Sequence, residues 1–415
     1  MALADAASIA DPLAMRHADT ESLAAAMADS RRCLLRLFAA FRLQLGDALE
    51  VGYAAELNPP LWELGHIGWF EEYWIARNPE RLRGAAANPD VARAAPLLRR
   101  ADALYDSSHV AHATRWQLDL PDAGHTLALL ARQRERTLAL LHASPADDAG
   151  LYFFRLVLMH EDMHREAWAF MAQMLALDVG AALDTLAPAS PAAALTDGEL
   201  SLPAQTVTLG SAPGGFAFDN ELAQHAVELP AFAIDRACVN WARYLPFVEA
   251  GGYDDERWWT REGWTWRQRH SNGSPRYLAQ DNGSWQRATF GRWAALDPAQ
   301  PAVNLTLHEA QAWCRWAGRR LPSEAEWECA AEHAARGGEA FHSGQVWEWT
   351  ATAFAPYPGF TPHPYRDYSA PWFDGRPVLK GGSFASAPRI KHPRYRNFFS
   401  ADRSDVFAGF RSCAV

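Results

Sequence analysis

The sequence predicts an α+β multidomain protein in which a helical bundle precedes an irregular, loop-rich α+β domain. Its 415 residues, 49% of them apolar, exceed what one compact core usually holds. The first 180 residues carry long Ala- and Leu-rich stretches, whereas short strand-like segments separated by Gly, Pro and Asn turns follow residue 200. An Ala/Pro-rich stretch lies between them. We therefore expect domains at residues 1–180 and 204–415, joined by a linker at residues 181–203.

Four long helical patterns in the first half are typical of a helix bundle. They cover residues 20–49, 60–77, 124–142 and 151–177, and a shorter helix is expected over residues 91–105. Pro59 and Pro60 suit the start of the second long helix, because proline is tolerated in the first helical turn. In the second half, strands are expected at residues 206–209, 225–229, 232–234 and 377–379, and helices at residues 307–317 and 323–335.

The composition excludes several classes of protein. Acidic residues outnumber basic ones, 49 to 39, which argues against a nucleic-acid-binding protein because such proteins need a basic surface. Five dispersed cysteines without a C-x-x-C pair argue against a disulfide framework or a structural zinc site. Without a long apolar run or a recognisable signal peptide, we expect a cytoplasmic protein with neither nucleic-acid nor membrane partners. Thirteen of the 18 Trp follow residue 200, where most are expected to anchor loops as buried side chains.

The strongest functional signal is a pair of histidines one helical turn apart. His160 and His164 belong to an H-E-x-x-H motif in the fourth long helix, so both imidazoles project from one face and can bind one metal ion. His66 lies on the apolar face of the second long helix, together with Trp62. With a histidine pair on a neighbouring helix, His66 becomes the third candidate ligand.

The identity of the metal stays open on spacing alone. A zinc hydrolase would use Glu161 as its general base. The extended zinc-protease motif fails, because Ala167 and Phe170 stand where it requires Gly and His. Three neutral imidazoles with open coordination positions resemble the facial triads of non-haem Fe(II) oxygenases, with a histidine in place of the carboxylate. A non-catalytic binding protein remains a third interpretation.

Several phrases along the chain carry a resemblance to one enzyme family. Besides the histidine motifs, they are GFAFDNE at 215–221, GRRLPSEAEWE at 318–328, GQVWEWT at 344–350, YPGF at 357–360, GGSF at 381–384, YRNFF at 395–399 and GFR at 409–411. Together they resemble the ergothioneine sulfoxide synthases over nearly the whole chain. The resemblance implies a DinB-like four-helix bundle followed by a C-type-lectin-like domain of the formylglycine-generating-enzyme type.

The resemblance also implies the chemistry. An Fe(II) ion held by His66, His160 and His164 would use O2 as co-substrate to couple a thiol to C2 of the imidazole of hercynine, which is Nα-trimethylhistidine. Formylglycine-generating activity itself is disfavoured, because it relies on a pair of reactive cysteines near the C-terminus and this chain offers only Cys413 there.

Two departures from the family pattern bear on the second substrate. Phe354 stands where the sulfoxide synthases are expected to carry a proton-donating Tyr. The loop at residues 105–116, which is Arg-rich in relatives that use γ-glutamylcysteine, has here one arginine, Arg115, beside hydroxyls and imidazoles such as His109. This lining suits a neutral polyol better than a dicarboxylate. Both departures resemble the selenium branch of the family, the selenoneine synthases, which couple hercynine with a selenosugar; cysteine or γ-glutamylcysteine as donor remains the alternative.

The family pattern also implies substrate contacts. Arg396, Asn397 and Phe398 are expected beside the iron, with Asn397 binding the hercynine carboxylate. The trimethylammonium group cannot donate hydrogen bonds, so an aromatic face such as Phe398 or Trp349 is its natural partner.

Four further residues complete the expected substrate site. Met163 occupies a position where relatives often carry a Gln that touches hercynine, and its thioether cannot make the hydrogen bonds of that amide. Tyr357 carries the hydroxyl nearest in sequence to Phe354, which makes it a candidate proton donor. Arg115 and His109 are candidates to bind the donor substrate.

Overall fold

The first half of the chain folds as a bundle of long helices. The computed structural model describes residues 6–183, 198–270 and 273–415. The helices of this half are α1 (Ala6–Ala10), α2 (Pro12–Arg16), α3 (Thr20–Leu45), α4 (Pro60–Glu71), α5 (Ala101–Tyr105), α6 (Ala123–His142), α7 (Asp148–Met174) and α8 (Gly180–Leu183). The long helices α3, α6 and α7 each begin after an aspartate whose side chain accepts a backbone N–H of the first turn. The helix α4 begins on Pro59 and Pro60, as expected.

The structure corrects the bounds of three predicted helices. The first long helix ends at Leu45 rather than at residue 49, because Gly46 takes a positive φ of 77° at the C-cap. The second continues beyond α4 only as a π-helix at Glu72–Ala76. The helix expected over residues 91–105 is reduced to α5, because Pro96 removes a backbone donor and disfavours helical backbone at the residue before it.

The second half is an α+β domain of short strands. Its strands are β1 (Glu199–Leu202), β2 (Gln205–Leu209), β3 (His225–Leu229), β4 (Phe232–Asp235), β5 (Leu278–Asp281), β6 (Ser284–Thr289), β7 (Arg292–Ala295), β8 (Arg319–Arg320), β9 (Trp347–Ala353), β10 (Pro377–Lys380), β11 (Asn397–Phe398), β12 (Ala408–Gly409) and β13 (Cys413–Ala414). Its helices are α9 (Trp241–Glu249), α10 (Arg261–Arg269), α11 (Leu307–Trp316) and α12 (Glu324–Gly337).

The strands form small separate sheets. Two sheets have four strands, in the orders β1-β4-β13-β8 and β11-β10-β9-β12; β2 and β3 form a hairpin, and β5, β6 and β7 a three-stranded sheet. The strand β1 lies inside the segment expected to be a linker. This part of the segment is a strand and not a linker, because Leu200 and Leu202 are buried and the strand pairs antiparallel with β4. At its start the expected linker overlaps the short helix α8, and its residues 184–197 lie outside the described residues.

The helix α7 joins the two halves through buried polar contacts. Glu166 accepts hydrogen bonds from the Trp347 indole (2.8 Å), from the Ser386 hydroxyl (2.7 Å) and from the Ser383 hydroxyl. Asp162, one turn earlier, accepts from Nε of Arg389 at 2.7 Å. One continuous apolar core runs through the bundle and into the second domain. Among the described residues, no helix combines the length and the apolar character needed to cross a membrane.

Candidate metal centre

Three histidines from two helices converge in the middle of the bundle. His66 comes from α4, and His160 and His164 come from α7. One ligand nitrogen from each lies within 4.8 Å of the others, and Nε2 of His160 lies 3.1 Å from Nε2 of His164. Two nitrogens bound at about 2.1 Å to one ion and at right angles to each other are about 3.0 Å apart. The structure therefore brings the predicted ligands together at a spacing that fits a metal ion.

Hydrogen bonds hold two of the ligands in the tautomer that a metal needs. Nδ1 of His66 lies 2.8 Å from the carbonyl oxygen of Tyr105, and Nδ1 of His164 lies 2.5 Å from a carboxylate oxygen of Glu63. Because a carbonyl and a carboxylate only accept, each Nδ1 carries the proton and each Nε2 keeps its lone pair for the ion. His160 is fixed by stacking, with its ring 3.5 Å from that of Phe70 and nearly parallel to it, at 2°.

Burial keeps His66 and His160 neutral. It lowers the pKa of His66 to about 3, with a further contribution from the charge of His164. The pKa of His160 is also held well below its usual value, first by burial and then by His164 and His66. Burial acts to raise the pKa of Glu63, but the charge of His164 and the hydrogen bonds that Glu63 accepts outweigh it and leave the pKa below its usual value. Three imidazole nitrogens beside an ionised carboxylate fit a divalent cation and leave coordination positions open.

The structure contradicts the role of general base considered for Glu161. Its two carboxylate oxygens accept from Nε of Arg31 at 2.9 Å and from a terminal nitrogen of Arg134 at 2.5 Å. Glu71 completes this buried cluster by pairing with both arginines. Position i+1 of the helix points about 100° away from the histidine face, so Glu161 contributes to packing between helices and does not face the metal.

A set of aromatic residues extends from the ligands into the second domain. The sulfur of Met163, next to His164, accepts from the hydroxyl of Tyr395 at 3.2 Å and from that of Tyr368 at 3.6 Å. The ring of Tyr368 meets that of Phe398 edge-on at 6.0 Å, and Phe398 stacks on Phe354 at 4.1 Å. The structure therefore links Met163, Phe398 and Phe354 through Tyr368.

Other predicted substrate residues are engaged inside the second domain. The Trp349 indole is fully buried and donates to the carbonyl of Leu305 at 2.7 Å. Arg396 pairs with the buried Glu324 at 2.7 Å, and its guanidinium lies 3.9 Å from the ring centroid of Tyr357. Burial raises the pKa of Tyr357, as does the charge of Glu324, and its ring belongs to an apolar cluster separate from that of the histidines. The structure does not bring these three residues to the metal centre.

The remaining three predicted residues have other surroundings. Asn397 pairs with Leu379 in the register of β10 and β11, and its side-chain oxygen accepts the backbone N–H of Phe398 at 2.9 Å. Arg115 donates to Oδ1 of Asn58 at 2.7 Å on the outer side of Trp62. His109 is exposed, and its Nδ1 lies 2.9 Å from Asp106, which raises the pKa of His109.

A polar cavity of about 230 Å³ is lined in part by Phe70, whose ring stacks on that of His160. Aromatic rings form its inner wall, including those of Phe70 and Tyr365, and Tyr365 also contacts His160, with ring centroids 6.3 Å apart. The outer wall carries Asp90, Asp106, Ser107, Ser108, His109, Arg366 and Asp367. Two contacts across the cavity join the domains: Arg366 pairs with Asp90 at 3.0 Å, and Ser108 donates to Asp367 at 2.6 Å.

Glu63, Tyr365 and Tyr368 also surround the histidines or their aromatic neighbours, although the sequence did not predict them as site residues. Glu63 offers a usable signal, since it stands three positions before His66 in an otherwise apolar first turn of α4. A lone carboxylate expected to be buried beside a candidate ligand predicts a hydrogen-bond partner for an imidazole. Tyr365 and Tyr368 lie in an irregular segment without periodicity, which gives no such signal.

Comparison with known proteins finds a domain family that matches the second half of the chain and relatives that match nearly all of it. A family model described as a sulfatase-modifying factor enzyme 1-like domain matches residues 185–343 and 341–414. The hercynine oxygenase of Mycolicibacterium smegmatis is 34% identical over 94% of this chain and 98% of its own length. The hercynine oxygenase of Mycobacterium tuberculosis is 31% identical, with 94% and 98% covered. The formylglycine-generating enzyme of Streptomyces coelicolor is 34% identical but covers only 37% of this chain and 51% of its own.

Proposed function

The chain belongs to the hercynine oxygenase family and is a non-haem iron oxidoreductase, and from this premise we propose that it is a selenoneine synthase. In this proposal hercynine is one substrate, a selenosugar such as 1-seleno-β-D-glucose is the other, and O2 is the oxidant. The three histidines would hold Fe(II), which supplies the redox chemistry that couples O2 to the two organic substrates.

The proposed coupling, which ends at the selenoxide that still carries the sugar, balances without another reductant; elimination from this selenoxide would then release the dehydrated sugar, and two equivalents of a thiol would reduce the remaining selenenic acid to selenoneine, with release of a disulfide and water. The C2–H bond of the imidazole and the Se–H bond of the donor break, and a C–Se bond forms, which releases two electrons and two protons. Oxidation of selenium to the selenoxide releases two more electrons. The four electrons reduce one O2, of which one oxygen atom ends on selenium and the other in water.

The lining of the cavity beside Phe70 supports the proposed choice of a selenosugar as donor. γ-Glutamylcysteine has two carboxylates, which require cationic partners. Among the lining residues that the structure describes, the guanidinium of Arg366 is already paired with Asp90, and three aspartates face the same space. A neutral sugar can donate its hydroxyls to these carboxylates and accept from Ser107 and Ser108. Arg115, the other candidate for a carboxylate partner, does not line this cavity and donates to Asn58 instead.

The aromatic set beside Met163 supports a position for hercynine. The proposal places the trimethylammonium group against the rings of Tyr368 and Phe398, where cation–π attraction replaces hydrogen bonds. Asn397 would bind the carboxylate from the neighbouring strand. Phe354 is 1% exposed and stacks on Phe398, so at this position the chain offers packing and no proton.

A competition between donors tests the proposal. Iron-loaded protein is supplied with hercynine and O2 together with 1-seleno-β-D-glucose, cysteine or γ-glutamylcysteine, and the products are followed by mass spectrometry. We expect C–Se bond formation with kcat/KM at least about tenfold above that of either thiol, which corresponds to about 1.4 kcal/mol of transition-state preference. Faster sulfoxide formation from either thiol would overturn the selenium assignment, and the absence of turnover with every donor would overturn the catalytic one.

A charge change in the cavity tests the observation behind the proposal. Asp367→Arg adds a cation to the outer wall and should raise kcat/KM for γ-glutamylcysteine relative to the selenosugar. Asp374→Arg is the matched control, because Asp374 is a partly exposed aspartate of the same domain that pairs with Arg376 and does not line this cavity. If the ratio of kcat/KM for γ-glutamylcysteine to kcat/KM for the selenosugar were equal in the two variants, the cavity would not determine which donor is used.

A further inference from the structure

A chain of hydrogen bonds runs from Arg115 to the ligand His164. A terminal nitrogen of Arg115 donates to Oδ1 of Asn58 at 2.7 Å, and Nδ2 of Asn58 donates to Glu63 at 2.8 Å. The second oxygen of Glu63 accepts from Nδ1 of His164 at 2.5 Å. The orientation of the Asn58 amide is determined by its partners, because the flipped amide would place an NH2 group against the guanidinium and an oxygen against the carboxylate.

The same guanidinium also supports the ligand on the other helix. It lies 3.9 Å from the centroid of the Trp62 ring, and the opposite partner of Trp62 is His66, stacked at 4.9 Å with an angle of 8° between the planes. The Trp62 indole donates to the carbonyl of Leu104 at 2.7 Å, next to the Tyr105 carbonyl that accepts from His66. Arg115 is therefore two contacts away from His66 and three from His164.

Because Glu63 is buried, the loss of any hydrogen bond in this series is costly. Glu63 is 1% exposed, and both of its oxygens are occupied, one by a ligand imidazole and one by Asn58. Without Asn58 it would be a buried carboxylate with an unsatisfied oxygen, free to rotate away from His164. Partners of metal-bound histidines of this kind typically change metal affinity 10- to 100-fold when removed.

We propose that Arg115 and Asn58 are positioning residues for the iron, which act through Glu63 on His164 and through Trp62 on His66. They set the affinity for Fe(II) and the ligand field at the ion without touching either substrate. This inference depends on the iron site and not on the identity of the donor. It assigns the one arginine of the loop at residues 105–116 to the metal rather than to substrate binding.

Metal binding without substrates tests the inference. Fe(II) affinity is measured anaerobically by titration, and the electronic environment by electron paramagnetic resonance of the nitric oxide adduct of the Fe(II) protein. Asn58→Leu keeps the size of the side chain and Arg115→Gln removes the guanidinium; each should weaken Fe(II) binding about tenfold and change the rhombicity of the spectrum. Arg100→Gln, a change at an exposed arginine paired with Asp119 on the same segment, should leave both unchanged.

The double variant separates one chain from two independent effects. Because both residues act through Glu63 while Arg115 also acts through Trp62, Asn58→Leu with Arg115→Gln together should weaken Fe(II) binding by less than the product of the two single losses. Multiplied losses in the double variant would overturn the chain, as would folded single variants with Fe(II) affinity within twofold of the parent and superimposable spectra. Circular dichroism confirms folding, and Arg115→Gln, at a partly exposed position, serves if Asn58→Leu does not fold. Because neither hercynine nor a donor is present, failure here is distinguishable from failure of the proposed reaction.

Discussion

Gly65 stands directly before the ligand His66 and faces the buried ring of Tyr105. A Cβ at this position would lie 2.3 Å from two ring carbons of Tyr105 and 2.6 Å from its hydroxyl oxygen. Carbon atoms in van der Waals contact are about 3.5–4.0 Å apart, so Gly65→Ala requires the ring to move by more than about 1 Å. Tyr105 is 3% exposed, and its carbonyl holds Nδ1 of His66. The substitution therefore couples packing to the metal site.

The expected magnitude follows from two opposing effects. Alanine in place of glycine favours a helix interior by about 1 kcal/mol, whereas forcing a group into a filled core costs up to about 3 kcal/mol. We expect Gly65→Ala to lower the free energy of unfolding by about 2 kcal/mol. Gly68→Ala, on the same helix, is the matched control: its Cβ would meet chiefly the side-chain oxygen of Gln133 at 2.4 Å, the end of a flexible chain that can move aside.

Urea unfolding of the metal-free proteins measures the stability, and anaerobic Fe(II) titration measures the site. Gly65→Ala should unfold at lower urea and bind Fe(II) more weakly, because the displaced Tyr105 moves the carbonyl that orients His66. Gly68→Ala should show a smaller loss of stability and bind Fe(II) like the parent. A Gly65→Ala protein with the parent's unfolding midpoint and Fe(II) affinity would refute the argument.

Three other changes probe different parts of the structure. Burial lowers the pKa of His363 to about 4, so between about pH 6.5 and 4 the unfolded chain binds a proton that the folded chain does not, and stability falls as the pH falls. At pH 5 this effect lowers the free energy of unfolding by about 2 kcal/mol. His363→Gln should therefore reduce the fall in the urea midpoint between pH 7 and pH 5. A fall as large as that of the parent protein would contradict this prediction. Glu161→Gln should cost about 3 kcal/mol in urea unfolding, because Arg31 and Arg134 lose a buried partner, but should leave Fe(II) stoichiometry intact; selective loss of iron would contradict the assignment. Removing iron with a chelator should lower the Tm, since at free Fe(II) of 100 times Kd binding to the folded state contributes about 2.7 kcal/mol; His160→Ala should abolish that difference.

The sequence predicts the metal site better than its surroundings. Helical spacing alone relates His160 to His164, and a buried histidine on another apolar helix suffices to suggest His66 as third ligand. The contacts of Arg115 depend on Asn58, 57 residues earlier in the chain, and no local pattern relates the two. A single arginine in a polar loop therefore resembles a substrate contact as much as a support for ligands.

The second domain limits prediction for a different reason. Its strands are short, and β1 has only four residues beside an Ala/Pro-rich stretch, so its alternation of buried Leu200 and Leu202 is too brief to distinguish from a linker. The placements of Tyr365 and Tyr368 depend on an irregular segment with no period to read. Where backbone geometry is not repetitive, tertiary contacts decide which side chains reach the site.

The buried carboxylates Glu166 and Asp162 on α7 resist separation of the two domains, which bears on how substrates reach the site. A hinge motion that parted the domains would separate Glu166 from its indole and hydroxyl donors and Asp162 from Arg389. Two buried carboxylates would lose their partners at once, at a cost of several kcal/mol. Separation of the two domains as rigid bodies is therefore an unfavourable step in a catalytic cycle.

The exposed pairing of Arg366 with Asp90 offers an easier route. Ion pairs in contact with solvent contribute about 0–1 kcal/mol, so this contact can break and re-form by local loop motion while the domains stay joined. Exchange of substrate and product would then depend on the loops around residues 105–109 and 364–367.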